Sequence, residues 1–513
     1  MWLVTKGMSM KTRILLFALA SSLSLFTSCG SEGDSPSAPS YSDLVGISSS
    51  EFLSSNSLEL SSSSSESWIS SNRVSSASEV FESSSSSLDS MPMLSSHSES
   101  SLTSSSSSAV VFVLSSSSSL ASSSSILASS SSREMLSSSE NFSSALESSS
   151  SFWRYSNGEY ILGADISRFQ EYEAAGISLY DTDGKEKSIF EILRNHGFNY
   201  IRLKTFVAPQ APYGYAASGC DVANAYGNFP FAGKDSLISY AKRVKKAGFG
   251  LLVDIHYSDN WADPGKQHVP YPWRNITNAD EMADSVYAYT YDLISSLQAA
   301  GALPDMVQVG NEITNGMIRH MPSSDCWGSD TVALSLSVNG GMGTSQGVQN
   351  TAKYLKSGFA AVKAVSSSIV TMAHIESPQN TSTVEWWLKS MVQNQGVNFD
   401  VMGFSAYESY SHGNPSTWKS LIQNLSKTYS GMKFVIAEYN GGNSDGSYDY
   451  DDARYETLDA MKNTGESLGA FFWEPASGGA WGESMFEWGN MTLTAKGKDF
   501  AEFDAFVKKW GLL

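Results

Sequence analysis

The chain has 513 residues, with 52 Asp and Glu against 33 Lys and Arg, for a formal net charge of −19. That charge would repel nucleic-acid phosphates, so it argues against a nucleic-acid partner and for a neutral or cationic one, although acidity also serves simply to keep an exported protein in solution. Composition changes abruptly near Phe152, and the two parts are read separately.

In chain order, Lys6, Lys11 and Arg13 precede an apolar segment, 14–26, too short to span a bilayer comfortably and followed by small residues. This is the pattern of a secretory signal peptide over residues 1–29. The segment ends L-F-T-S-C-G at 25–30, similar to a bacterial lipobox in which Cys29 would be lipidated and become the mature N-terminus. A plain signal peptide with an incidental cysteine is the alternative. The expected location is therefore the bacterial cell surface as an outer-membrane lipoprotein, otherwise secretion, with membrane touched only through the lipid. Residues 30–152 are dominated by serine runs such as 61–65 and 115–119, with too few large apolar residues to offset the entropy of ordering. They read as a disordered linker of about 100 residues, with an r.m.s. span on the order of 50 to 60 Å. A glycosylated stalk or an inter-module spacer fits the same composition.

Residues 153–513 are mixed and aromatic-rich, enough for one large α/β domain. Apolar runs at 160–167, 199–204, 251–257, 306–312, 369–376, 401–407, 434–439 and 470–474 read as strands. Amphipathic stretches at 236–247, 279–300, 351–365, 384–395, 418–428 and 454–463 alternate with them. Eight such units predict a closed (β/α)8 TIM barrel, preceded by the linker. A doubly wound open sheet is the alternative, but no G-x-G-x-x-G turn follows the first strand.

Polar residues gather at the C-terminal ends of these runs, where parallel α/β folds carry their active sites. They are Asp165, Arg202, Asp254 to Asp259 including His256, Asn311 and Glu312, His374 and Glu376, Tyr407, Glu438, and Trp473 with Glu474. One polar strand end is commonly structural; all eight together point to a site. Two glutamates delivered by two strands, Glu312 and Glu438, are the raw material of glycoside hydrolysis, which needs one protonated and one ionised carboxyl beside the sugar bond. Glu376, Glu408 and Glu474 are competing carboxylates on the same evidence.

The run D-I-H-Y-S-D-N-W-A-D-P-G-K-Q at 254–267, with Pro270 and Trp273, is similar to the signature of glycoside hydrolase family 53, the endo-β-1,4-galactanases. So are V-Q-V-G-N-E-I-T-N-G at 307–316, G-A-D-I-S at 163–167, G-F-N-Y-I-R-L-K at 197–204 and F-F-W-E-P at 471–475. The resemblance implies a (β/α)8 barrel, retention of anomeric configuration and cleavage within plant cell-wall β-1,4-galactan. It implies Glu312 as acid/base and Glu438 as nucleophile. It further implies Asn311 on the sugar 2-hydroxyl, Arg202 lowering the pKa of Glu438, His256 and Tyr407 orienting the nucleophile and its sugar, and Trp473 stacking on a pyranose. Asp165, Asp259 and Trp261 complete the substrate-binding set, with loop scaffolding as the second reading of Asp259 and Trp261.

The chain departs from the family after the sixth strand, F-S-A-Y-E-S-Y-S-H at 404–412, and around Glu438, A-E-Y-N-G-G at 437–442. Both stretches lie where sugar subsites are built, so a same-clan endo-glycanase acting on mannan, xylan or glucan stays open, as does an inactive surface glycan-binding protein. No cofactor is required. Asp445, Asp449 and Asp451 could hold a structural Ca²⁺, but the spacing is no EF-hand and a solvated acidic loop capping the next helix is the preferred reading. A monomer is expected. With Cys29 lipidated, Cys220 and Cys326 remain as an even pair in an oxidising setting, which suits a disulfide.

Overall fold

A computed structural model describes residues 159–220, 229–322, 326, 332–441 and 450–512, the last stretch by its backbone alone at 450–452. The expected signal peptide and linker, at 1–152, lie outside the described residues. Eight parallel strands close into a barrel: β1 (Ile161–Asp165), β2 (Tyr200–Thr205), β3 (Gly250–Ile255), β4 (Met306–Val309), β5 (Val370–Glu376), β6 (Val401–Ser405), β7 (Lys433–Tyr439) and β8 (Ser467–Trp473). β1 pairs with both β2 and β8, so the sheet has no free edge. Helices α1 (Ile189–Asn195), α2 (Lys234–Lys246), α3 (Ala279–Ala299), α4 (Ser345–Val365), α5 (Thr381–Leu388), α6 (Pro415–Thr428), α7 (Tyr450–Lys462) and α8 (Gly497–Trp510) follow the successive strands.

Alternation along each strand sorts side chains into two cores. Ile161, Tyr200, Leu252, Met306, Met372, Val401, Val435 and Phe471 fill the lower barrel interior. Their neighbours Leu162, Ile201, Val253, Val307, Ala373, Met402, Ile436 and Phe472 face outward into the larger core under the helices. Because both strand faces are buried, the strands read as continuous apolar runs.

Helix starts follow side-chain caps. Asn278 accepts from the Glu281 N–H, Thr344 from Gly347, and Asn414 from Thr417 with Pro415 in the first turn. The Thr344 cap starts α4 six residues before the expected 351, across polar residues that carry no apolar period. Strand ends also differ: β3, β4 and β6 stop at Ile255, Val309 and Ser405, two or three residues early. Left-handed backbone at Tyr257 (φ 49°), Gly310 (φ 86°) and Glu312 (φ 47°) ends the extended chain at the first two. A three-stranded sheet of residues Ser178–Tyr180, Thr492–Ala495 and Phe486–Gly489 is an addition that the sequence reading did not include. Among the described residues no helix is long and apolar enough to cross a membrane.

Candidate active site

The upper barrel interior is polar and centred on Arg202, which β2 projects fully buried onto the axis. Its guanidinium meets Asp165 of β1 at 3.1 Å, Asp254 of β3 at 2.8 Å and Glu438 of β7 at 2.9 Å. It also donates to Gln308 Oε1 at 3.3 Å and Asn311 Oδ1 at 3.0 Å. Burial alone would weaken this cation, but Asp254, Glu438 and Asp165 outweigh it and hold the proton more tightly than usual.

Glu438 reaches the interior through a β-bulge. Val435 and Ala437 both face inward, so simple alternation would send Glu438 outward. Between Ile436 and Glu438 the register against β6 slips, pairing Ile436 with Phe404 and Glu438 with Ser405, and the extra residue turns the carboxyl to the axis. There Arg202 faces Oε1 and the Tyr407 hydroxyl donates to Oε2 at 2.8 Å. Burial pushes the Glu438 pKa up to about 7, against Arg202 and the Tyr407 hydrogen bond, with Asp254 and Asp165 adding repulsion. The cation thus restrains the rise without reversing it.

Glu312 is set by a different device. Gly310 at φ 86° turns the chain off β4, and a Cβ there would come within 2.9 Å of Ile313 Cγ2. The turn leaves Glu312 itself left-handed and half-buried. Burial raises its pKa well above the ordinary value and the nearby Glu438 charge raises it further, while the Ser405 hydroxyl opposes both. No cation partners it among the described ion pairs. Asn311 Nδ2 donates to the Ala262 carbonyl at 2.8 Å, fixing the amide before any ligand arrives.

His256 takes the Ala262 N–H at Nδ1 (3.0 Å), which places its proton on Nε2, 3.0 Å from Asp254 Oδ2. It therefore orders Asp254 and reaches Glu438 only through Arg202, whereas Tyr407 touches Glu438 directly. Asp259 accepts from the Ala208 and Tyr271 N–H groups at 2.9 and 2.6 Å, which engages both oxygens in loop architecture and suits its scaffolding reading. Trp261 meets Trp473 edge-on with centroids 5.8 Å apart, and the Arg202 guanidinium lies 5.3 Å from the Trp473 ring centroid. The described residues thus bring Asp165, Arg202, His256, Asn311, Glu312, Tyr407, Glu438 and Trp473 to one end of the barrel, with Trp261 behind Trp473.

The sequence reading marked His374 as a polar strand end without giving it a role, and omitted Gln308 and Ser405. Gln308 Nε2 donates to Asp254 Oδ1 at 2.5 Å and to His374 Nδ1 at 3.0 Å, and His374 Nε2 then faces Ser405 Oγ at 2.9 Å. Burial, then Arg202, keeps His374 neutral. Their signal was available: each is polar at an inward position of its strand, where an apolar residue would be the default. A 1050 Å³ cavity opens at the opposite end of the barrel among Met306, Val370 and Val401, away from this polar cluster.

Cys220 and Cys326 are joined, Cα atoms 5.6 Å apart, linking the loops after β2 and β4. Asn260 Nδ2 donates to the Cys326 carbonyl at 2.5 Å and to Tyr213 O at 3.2 Å, so the loop after β3 is tied in as well. Asp445 and Asp449 lie outside the described residues, as does the side chain of Asp451. Among the described residues no three His, Cys, Asp or Glu converge as a metal site.

The family model of glycosyl hydrolase family 53 matches residues 161–464, more than half of the chain. The chain belongs to glycosyl hydrolase family 53. Among curated proteins, it is 29% identical over 344 residues to an endo-beta-1,4-galactanase of Bacillus subtilis (strain 168), covering 62% of this chain and 71% of that protein. It is 30% identical over 277 residues to an arabinogalactan endo-beta-1,4-galactanase of Cellvibrio japonicus, covering 53% and 64%. The structure is similar to the Ignisphaera aggregans GH53 catalytic domain, with TM-score 0.54 and 26% identity over 68% of this chain and 96% of that one. A fungal beta-1,4-galactanase matches with TM-score 0.53, 26% identity, 66% of this chain and 98% of its own. Family 53 membership makes this barrel a glycoside hydrolase fold with its polar cluster at the expected end.

Proposed function

We propose that the protein hydrolyses β-1,4-galactosidic bonds within galactan chains of plant cell walls, with retention of configuration. The observation that carries the mechanism is the asymmetry of two buried carboxyls. Glu438 has a cation on one oxygen and a phenol on the other, which stabilise its charged form. Among the described residues Glu312 has neither, and its proton is held by burial and by the charge of Glu438. Near neutral pH the pair therefore holds a proton on Glu312 and its negative charge on Glu438, the division of labour that a retaining glycosidase needs.

In this mechanism Glu438 attacks the anomeric carbon as the glycosidic C–O bond breaks and Glu312 gives its proton to the leaving oxygen. Glu312 then takes a proton from water, whose oxygen displaces Glu438 and leaves the sugar β. Trp473 would bear the pyranose face and Asn311 its 2-hydroxyl. Galactan as substrate rests on the activities for which the relatives are named. The altered stretches at 404–412 and 437–442 favour one rival, a same-clan enzyme for another β-linked glycan. Incubation with linear galactan, mannan, xylan and carboxymethylcellulose decides: galactan should be cut internally into short oligomers, and cleavage of mannan or xylan with galactan intact would reverse the assignment.

Export on a lipidated Cys29 is part of the same proposal, motivated by the charged and apolar leader with its lipobox-like end. Cys29→Ser should move the protein from the membrane fraction to the soluble one. A structural Ca²⁺ at Asp445, Asp449 and Asp451 would show as a Tm that falls with chelator and returns with calcium.

A further inference from the structure

Lys204 follows Arg202 by two residues on β2 and so projects from the same inward face, one layer nearer the mouth of the barrel. It is 2% exposed, and among the described residues its Nζ has no hydrogen-bond partner. Leaving a buried ammonium without hydrogen bonds is costly. Burial accordingly lowers its pKa, while the charges of Glu474 and Glu171 act to keep it protonated. What encloses it is aromatic: Nζ stands 4.2 Å from the Trp261 ring centroid and 5.1 Å from that of Tyr215. An indole face is the best aromatic partner for a cation, and more so away from water. The other cation near Trp261, Arg168, is 5.5 Å from the ring and paired with Glu474 at 3.1 Å.

We propose that Lys204 is a positioning residue for the sugar-stacking wall. Its ammonium holds the Trp261 indole, and Trp261, edge-on against Trp473, holds the Trp473 face where a pyranose can lie on it. The inference rests on the functional reading above, which gives Trp473 its sugar, and adds a residue outside the reacting atoms that sets affinity. A lysine that merely filled space would act through volume alone; this one acts through charge.

The test uses the full chain and kinetics on linear galactan, with Tm recorded for each variant. Lys204→Met keeps the stem and removes the charge. Its KM should rise about tenfold, while kcat stays within about threefold, because ring placement contributes equally to substrate and transition state. Lys204→Arg should recover most of the loss. Lys204→Met combined with Trp261→Phe should bind no more weakly than Trp261→Phe alone. Unchanged KM in Lys204→Met, no recovery with arginine, or losses that add in the double variant would each overturn the proposal. If the methionine variant does not fold, Lys204→Gln is read in the same way. If the unaltered protein leaves galactan intact, the functional reading fails instead, and the KM comparison is made on the glycan that it does cleave.

Discussion

The Tyr407 hydroxyl donates to Oε2 of Glu438 at 2.8 Å, on the carboxylate oxygen that Arg202 does not face. A phenol donates more strongly to a carboxylate than to a protonated carboxyl, so this bond favours the ionised form and opposes the burial that pushes Glu438 up to about 7. Tyr407→Phe should raise the Glu438 pKa. Activity that needs ionised Glu438 then appears at higher pH, so the acid limb of the kcat/KM profile moves upward. A hydrogen bond to a charged group is worth about 1.5 to 3 kcal/mol, so kcat/KM near pH 6 should fall roughly 10- to 100-fold. An unmoved acid limb would mean that Glu438 is not the group whose ionisation limits the rate.

Glu312 gives a stability prediction with a definite sign. Its folded pKa lies well above the ordinary 4.5, raised first by burial and then by Glu438. Between those two values the unfolded chain ionises Glu312 while the folded chain keeps its proton, so stability is lost as pH rises through the window. Glu312→Gln removes that loss. Its Tm should match the unaltered protein near pH 4 and exceed it increasingly toward pH 8, although activity on polysaccharide disappears. A Tm difference independent of pH would place the Glu312 pKa near its ordinary value.

The Cys220–Cys326 bridge closes a loop with a sequence separation of 106. Chain-entropy arguments give about 4.7 kcal/mol for a loop of roughly 100 residues, and removing a native bridge commonly costs about 2 to 5 kcal/mol. In Cys29→Ser protein purified from an oxidising compartment, denatured without reductant, thiol labelling should find no free cysteine. Cys220→Ser should lower Tm and loosen the loops after β2 and β4. Two labelled thiols would remove the bridge from the native protein.

The barrel was legible in the sequence because both faces of each strand are buried: runs such as Leu251 to Ile255 and Val435 to Ile436 are apolar throughout, and eight of them recur between amphipathic stretches. What escaped was set by local geometry that apolar periodicity does not carry. The inward aim of Glu438 depends on a bulge that moves it against the parity of Val435 and Ala437. The exposure of Glu312 depends on left-handed backbone at two positions in three, of which only Gly310 announces itself. The early start of α4 hangs on one Thr344 hydroxyl. Gln308 and Ser405 sit beneath the reacting groups, and only their inward parity marks them among otherwise apolar runs; His374 was visible as a polar strand end, but its place between Gln308 and Ser405 was not. Arg202 was expected to lower the Glu438 pKa, and it does act in that direction; the burial that outweighs it is a property of the closed barrel.

The proposed roles of Glu312 and Glu438 separate when each is removed and a small anion is supplied. Glu438→Ala should abolish turnover on every substrate, because no nucleophile remains, and azide should restore part of the rate by attacking from the vacated side to give the α-glycosyl azide. Glu312→Ala loses the proton donor of the first step and the base of the second. An aryl galactoside whose leaving group needs no proton should still glycosylate Glu438, and azide, which needs no base, should then displace Glu438 to give the β-glycosyl azide. General acid assistance is worth about 10² to 10⁴-fold, so galactan cleavage should suffer by that factor while release of the activated aryl group is largely spared. The Arg202 and Tyr407 contacts explain why the roles do not exchange: with Glu438 gone, Glu312 still lacks a cation to keep it charged. Equal losses on both substrates in Glu312→Ala, or an α-anomer as the first product of the unaltered protein, would reverse the assignment.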